Sequence, residues 1–435
     1  MPAIAKILII FASVLLLTRV RVQLGLALIL GGVTLTLWAG FTTQQLAVHL
    51  GKAVTSAELW IFVVIMAMII EVGRYLTDKR NADEMVSAVQ RWGGRHGRAA
   101  TIMALPAVIG LVPMPAGALA AAPFVEQAGG DGAEYINWKS SVNYWFRHVW
   151  EYWWPLYPGV IIAMKVFDMD AWKFISAEIF YTPIAIAVGY IVLVRSHVPR
   201  LREKVGMGGG TNRRALFLFL PVAVVVASLF IMPPIVNRLC AGFDVQSRKM
   251  LVLMAGMAGA VMVIFLDELR TARTVPGCRI KVFSTLLSKP SLNTQYSLAG
   301  VLIFKALLTD SQLLPLASEE LLRSGVPVAI AVATLPFLAG FVTGIALGFT
   351  GTSFPMVVGL MVAPASGLTP LATLVLAYGF GYCGMMLSPV HLCALVTRDY
   401  FSSSLLAVFR MILPCVLTIL AASIAAHILL RALGW

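Results

Sequence analysis

Two segments of the chain concentrate side chains able to do chemistry. The first runs Asn143-Tyr-Trp-Phe-Arg147-His148-Val-Trp150-Glu151-Tyr-Trp153-Trp154-Pro155-Leu-Tyr157-Pro158-Gly159. On a continuous helix Asn143, Arg147, Glu151 and Trp154 follow i, i+4, i+8 and i+11 and share a face, with His148 adjoining it. Arg147 then has two readings. It presents a guanidinium fork to a carboxylate or other oxyanion, oriented by Glu151, or it forms a buried ion pair with Glu151 inside an aromatic belt of Trp138, Trp145, Trp150, Trp153 and Trp154. The second segment runs Tyr378-Gly-Phe-Gly381-Tyr-Cys-Gly384-Met-Met-Leu-Ser388-Pro389-Val390-His391. Pro389 lacks an amide, which predicts a freed carbonyl near Met385, with Ser388 and His391 as polar groups at the break. His391 is a substrate ligand, a proton carrier because imidazole titrates near neutral pH, or a histidine satisfied by a neighbour.

Two further stretches offer backbone chemistry. Val112-Pro113-Met114-Pro115-Ala116-Gly117-Ala118 and Gly348-Phe349-Thr350-Gly351-Thr352-Ser353-Phe354-Pro355 interrupt a helical ladder with proline and glycine. At membrane depth such backbone is tolerated only around a cavity or inside protein. Carbonyls at a half-helix C-terminus suit Na⁺, and N–H groups at an N-terminus suit an anion. Thr350, Thr352 and Ser353 add hydroxyls at the expected second tip. These four segments supply the candidate substrate contacts, and a coupling Na⁺ or H⁺ is assigned to Gly117, Glu151, Thr352 and Ser388. Glu71, Lys305 and Asp310, the other ionisable groups in or near apolar runs, read as structural. Any pairing of Lys305 or Asp310 must cross helices, because their spacing is poor for pairing within one.

Other chemistries find little support. The five cysteines, Cys240, Cys278, Cys383, Cys393 and Cys415, show no CxxC spacing, so the sequence indicates neither a disulfide framework nor a zinc site. HExxH, a paired intramembrane aspartate and a Walker A motif do not occur. No cofactor is expected beyond the coupling ion.

The elements that must hold these residues are membrane helices. Of 435 residues, 59% are hydrophobic and 12% charged, and the mean hydropathy is +0.87. No soluble domain has that composition. The net charge of +13 belongs to loops flanking the spans rather than to a nucleic-acid surface. A bilayer core about 30 Å thick needs roughly 20 apolar residues per helix. About ten stretches qualify, near 4–20, 22–40, 57–76, 140–164, 173–195, 215–235, 249–267, 295–310, 370–397 and 403–431. Stretches 99–128 and 328–363, with Pro and Gly through their middles, are expected to be re-entrant hairpins. Basic clusters at Arg19 and Arg21, at 74–98, at 195–214 and at 270–281 then fall on one side, the cytoplasmic one. Both termini lie opposite, at the cost of exceptions at Arg238, Arg248 and Lys249. An inner or plasma membrane location is expected.

Leu105-Pro106-x3-Gly110 resembles Leu335-Pro336-x3-Gly340, and Tyr144-x-Phe146-x8-Pro155 resembles Tyr378-x-Phe380-x8-Pro389, at offsets of 230 and 234 residues. The fold expected is therefore an all-α polytopic membrane protein in two inverted-topology repeats. The first repeat is 1–205, with its hairpin at 99–128 and broken helix at 140–164. A glycine-rich cytoplasmic linker spans 206–214. The second repeat is 215–435, with its hairpin at 328–363 and broken helix at 370–397. Secondary transporters use this arrangement, with substrate near the midplane at broken helices.

The two hairpins, the broken helices and Ser388-Pro389 together resemble the ion transporter superfamily, which includes divalent-anion/sodium symporters and citrate, gluconate and four-carbon dicarboxylate carriers. More closely, Pro113-Met-Pro-Ala-Gly-Ala118, Asn143-Tyr-Trp-Phe-Arg-His148, Trp154-Pro-Leu-Tyr-Pro-Gly159 and Ser388-Pro-Val-His391 are similar to an integral membrane family of unknown function within it. The resemblance covers nearly the whole chain. It implies a homodimer in lipid, with mobile domains that carry a small organic or inorganic anion together with Na⁺ or H⁺ by an elevator motion. The hairpins differ from the Ser-Asn-Thr tips of better-studied carriers, with Pro113-Met-Pro-Ala-Gly-Ala118 and Gly351-Thr-Ser-Phe354 in their place. A cation/proton antiporter remains open as a second reading, and a membrane-embedded enzyme acting on a lipid-linked substrate as a third.

Overall fold

The computed structural model describes residues 1–78, 80–81, 84–85, 88, 98–111, 117–129, 132, 135–196, 212–242, 245–275, 277–284, 287–363 and 366–434. Among these residues there is no strand. The N-terminal part consists of α1 (Ala3–Arg19), α2 (Leu24–Trp38), α3 (Thr43–Thr55) and α4 (Ala57–Thr77). Next come α5 (Arg98–Gly110), α6 (Gly117–Ala128), α7 (Ile136–Arg147), α8 (Pro158–Val166), α9 (Ala171–Glu178) and α10 (Tyr181–Gly189), the last running into a π turn over Tyr190–Val194. The remainder consists of α11 (Asn212–Leu218), α12 (Leu220–Leu239), α13 (Val245–Thr274), α14 (Lys289–Asp310), α15 (Leu313–Arg323), α16 (Val328–Thr343), α17 (Ala346–Met361), α18 (Pro370–Met386), α19 (Leu392–Phe401) and α20 (Leu405–Ala432).

Five segments are long and apolar enough to cross a membrane: Leu59–Leu76, Ala171–Val194, Leu220–Leu239, Met250–Thr274 and Leu405–Ala432. Helices α2, α16, α17 and α18 are apolar but shorter. The ten expected spans are thus matched by length and composition at five. The expected spans 140–164 and 370–397 are each divided by a break, which is why neither forms one long helix.

Large apolar side chains lie on the outer surface while the interior is closely packed. Leu16, Phe230, Ile231, Leu417 and Ile428 are exposed, for example, while Trp145, Phe349 and Tyr378 have no exposed surface. Burial of side chains this large supplies most of the packing energy inside the bundle. Small residues set one close helix crossing. An added Cβ at Gly300 would lie 2.5 Å from the backbone of Gly25, so α2 and α14 meet with almost no side chain between them.

Around the site, α5 packs on α6 and on α7, while α16 packs on α17 and on α18. The second arm of each pair also crosses to the other segment, α6 against α19 and α17 against α8. The expected hairpins at 99–128 and 328–363 are therefore helix pairs, with one correction to the second. Its turn lies at Gly344, which has a φ of +66°. Thr350, Gly351, Thr352, Ser353 and Pro355 lie inside α17. A proline within a helix removes one ladder bond without ending it when packed neighbours satisfy the freed group, and Pro106, Pro123 and Pro336 are accommodated in the same way.

Candidate functional site

Two interruptions build the site, each helix stopping where its backbone loses its ladder. Helix α7 ends at Arg147, turns cover 148–157, and Pro158 starts α8 at a position where a missing amide costs nothing. Helix α18 ends at Met386, and α19 begins after His391. The interruptions leave carbonyls without ladder partners, and side chains from the other segment supply them. Tyr378 Oη donates to the Glu151 carbonyl at 2.7 Å and Tyr382 Oη to that of His148 at 3.2 Å. In the other direction Tyr144 Oη donates to the Met386 carbonyl at 3.0 Å. The freed carbonyl expected near Met385 is thus that of Met386, because the Met385 oxygen accepts from the Ser388 amide.

Arg147 is 2% exposed and makes charge-assisted bonds to Glu151 Oε1 at 2.6 Å and to Tyr157 Oη at 3.1 Å. Tyr157 Oη donates in turn to the carbonyl of Gly110, the last residue of α5. Asn143, Arg147 and Glu151 do not share a continuous helix, since Glu151 reaches Arg147 from the turns beyond the helix end. An ion pair this deeply buried is costly to assemble and costlier to break, because either charge left alone has no water to solvate it.

The two histidines meet at the centre. His148 Nδ1 lies 2.6 Å from the Tyr144 carbonyl and His391 Nδ1 lies 2.5 Å from that of Gly344, the turn of the second hairpin. Their Nε2 atoms are 3.0 Å apart. Cys393 joins them, with its Sγ and the two imidazoles all within 4.8 Å of one another and all buried. Glu151 Oε1 is 3.9 Å from His148 Nε2. Gly344 itself abuts the second break, since a Cβ there would lie 2.8 Å from the His391 amide and 3.0 Å from Ser388 Oγ.

The remaining candidates distribute unevenly. Asn143 donates to the Ala118 carbonyl at 2.8 Å and to Thr397 Oγ1 at 3.3 Å, tying α7 to α6 and α19. Its buried Oδ1 has no partner among the described residues. Gly117 opens α6, while Pro113, Pro115 and Ala116 lie outside the described residues. Thr350, Thr352 and Ser353 bond to carbonyls of their own helix, those of Ala346, Gly348 and Phe349. Gly351 faces Val301 of α14. Ser388 Oγ accepts the Val390 amide at 3.3 Å, across Pro389.

The three groups read as structural all have partners. Glu71 and Glu268 both bond Arg74, and Asp310 bonds His49 Nδ1 at 2.6 Å. Lys305 Nζ sits 3.4 Å from the carbonyls of Lys165 and Val166, against the negative C-terminus of α8. The sequence reading missed two residues. Cys393 lies two positions after His391, and nothing local marks it as a partner of a histidine 245 residues earlier. Glu178 is fully buried in α9, and neither of its oxygens has a partner among the described residues. The signal was available there, as a lone carboxylate in the apolar run Phe174-Ile-Ser-Ala-Glu178-Ile-Phe180.

Two clefts open nearby. One, of about 400 Å³, is lined by Lys165, Asp168, Trp172 and Arg248 among others and does not reach the histidines. The other, of about 480 Å³, is lined by Arg19 and Arg21 on one wall and by Thr343, Ile345 and Val390 on the other. This second cleft touches both the hairpin turn and the break that carries His391, so we regard it as the one relevant to the site.

Residues 3–429 match the model of a family described as a protein of unknown function (DUF401). No curated protein matches the chain.

Proposed function

From the premise that this chain belongs to the DUF401 family, whose function is unknown, we propose that it is a secondary active transporter moving a small organic or inorganic anion with Na⁺ or H⁺. The observation that carries this reading is the reciprocity of the two breaks. Tyr144 and Tyr378, 234 residues apart, each donate a hydroxyl to the opposite break, at Met386 and at Glu151. Gly110 and Gly340 repeat the relation in packing. A Cβ on Gly110 would meet the carbonyl of Arg147, and one on Gly340 would meet the carbonyl of Gly381, again 234 residues on. Such a relation is what two inverted repeats produce, and repeats that cross at broken helices provide a polar point at mid-membrane about which one part rocks against the other.

Same-side contacts support the inverted topology. Asp78 pairs with Lys281, Arg74 with Glu268, and Arg214 with Asp267, all at the end assigned to the cytoplasm. His49 pairs with Asp310, and Glu320 with the start of α1, at the opposite end. Arg19 and Arg21 favour an anion as cargo, because they face the cleft that leads to the Gly344 turn. In this reading a second copy of the chain and membrane lipid cover the apolar exterior, with an elevator motion relative to the dimer scaffold. The superfamily of anion carriers that the motifs resemble gives the same expectation.

The test is thermal stabilisation of the purified protein across carboxylates and inorganic oxyanions, in Na⁺ and in choline buffers at two pH values, followed by liposome uptake. A cognate anion at about 100 times its Kd stabilises by about 2.7 kcal/mol. The shift should depend on Na⁺ or pH, and uptake should fall in Arg19→Gln and Arg21→Gln. A response to Na⁺ or pH with none to any anion would replace this reading with the second one, a cation/proton antiporter. Glu178 favours that alternative, as a membrane-embedded carboxylate with no structural partner among the described residues. The absence of any response, in protein that remains folded, would sink both.

A further inference from the structure

We propose that His148 Nε2, His391 Nε2 and Cys393 Sγ form a three-ligand site for a zinc-class divalent cation that joins the two broken helices. Each Nδ1 faces a backbone carbonyl, that of Tyr144 or of Gly344, and a carbonyl only accepts. Each Nδ1 therefore carries the ring hydrogen, and each neutral imidazole turns its Nε2 lone pair inward. The two lone pairs then face each other at 3.0 Å in the buried interior, an arrangement that repels unless a positive charge sits between them.

A proton would satisfy two nitrogens and leave the Cys393 thiol hydrogen-bonded to His148, which does not draw both rings and the sulfur to one point. A soft or borderline metal ion does. Cys393 Sγ lies within 4.8 Å of both nitrogens, and all three residues are buried. Tetrahedral bonds of about 2.0–2.1 Å to nitrogen set two nitrogen ligands about 3.3 Å apart, so small shifts would seat the cation. The outer contacts also fit, because metal-bound histidines characteristically donate their other N–H to a backbone carbonyl, which fixes the ring.

Two nitrogens and one sulfur select zinc-class ions over Na⁺ or Mg²⁺, whose ligands are oxygens. Local charge permits such an ion. Arg147 is matched by Glu151 at 2.6 Å, and Cys393 would contribute a thiolate, its proton passing to solvent on binding. Three protein ligands leave a fourth position free, as in zinc sites that take a water or exogenous anion. Glu151 Oε1, 3.9 Å from His148 Nε2, is the nearest carboxylate but is engaged by Arg147. The site does not depend on the transport reading, since binding is measured on purified protein without a gradient.

The experiment is a Co²⁺ titration of the chelator-treated, full-length protein in detergent, followed by absorbance and backed by metal analysis of protein purified with Zn²⁺ present. One equivalent per chain is expected, with the sulfur-to-cobalt charge-transfer band of a thiolate ligand and the intense visible bands of a four-coordinate ion. Excess Zn²⁺ should displace it. Cys393→Ser should lose the charge-transfer band, and His391→Gln should weaken binding at least about tenfold. Cys383→Ser, which alters a neighbouring buried cysteine, should change neither. Folded wild-type protein that takes up no Co²⁺, or takes it up without the thiolate band, overturns the site and leaves a shared proton between the histidines. So does a band that persists in Cys393→Ser. The wild-type titration decides the matter even if a histidine variant fails to fold.

Discussion

Arg147 and Glu151 illustrate how burial converts a favourable contact into a dependency. Neither meets bulk water, so removing Arg147 leaves Glu151 charged and desolvated without its counter-ion at 2.6 Å. Arg147→Gln alone should destabilise by about 3–5 kcal/mol, whereas Arg147→Gln with Glu151→Gln should recover most of that loss. A double-mutant cycle by thermal melts checks this, and additive losses would show that the pair is not coupled. Glu178 poses the opposite case, a buried carboxylate with no partner among the described residues. Glu178→Gln preserves its shape and should cost no more than about 1 kcal/mol, yet it should flatten the pH dependence of Na⁺- or anion-driven uptake if this group carries the coupled proton. Unchanged pH dependence would remove Glu178 from the coupling path. Sequence showed Arg147, His148 and His391 because each adjoins a proline-broken run. It hid Cys393, since a cysteine in an apolar stretch has no local feature that distinguishes a packed thiol from a ligand, and its partners come from the far end of the chain.

Helices and their interruptions were more legible than the turns within them. The pairs α5–α6 and α16–α17 fall where proline and glycine punctuate apolar runs, and the repeat of Leu-Pro-x3-Gly located both first arms. The second turn was misplaced because composition alone does not distinguish a proline that ends a helix from one tolerated inside it. Pro355 lies mid-helix, while the actual turn depends on Gly344 adopting a left-handed backbone. The glycines of the repeat allow a sharp test at this scale. A methyl at Gly110 would lie 2.1 Å from the Arg147 carbonyl, and one at Gly340 would lie 2.2 Å from that of Gly381. Both contacts are with backbone, which cannot rotate away, so Gly110→Ala and Gly340→Ala should each destabilise, by about 1–3 kcal/mol. Gly51→Ala, where a Cβ meets nothing, is the control. Melting temperatures that leave either site near the control would mean that the arms can separate without loss, and would weaken the case that the two crossings are equivalent.

At the scale of the whole molecule, ends of helices distant in sequence are held together by charge. Glu320 on α15 accepts the amides of Ala3 and Ile4, both at 2.8 Å, and so closes the open N-terminus of α1 with a carboxylate from more than 300 residues away. The hydrogen bonds from Ile4 and Ala3 are the main reason that this carboxyl titrates below its ordinary value of 4.5. The sign follows from linkage. A carboxyl with a lowered folded-state pKa contributes stability that is complete above about 4.5 and lost as pH falls through the folded value. Because the contact is only partly buried, the effect is expected to be small and sensitive to salt. Glu320→Gln keeps an oxygen acceptor but removes the charge. The mutant should therefore melt below wild type at neutral pH by a margin that stays constant down to about pH 5 and closes in more acidic buffer. Added salt should shrink the margin at neutral pH. A margin independent of pH would assign the contact to neutral hydrogen bonding, and the absence of any margin would mean that α1 and α15 are joined by their apolar packing alone.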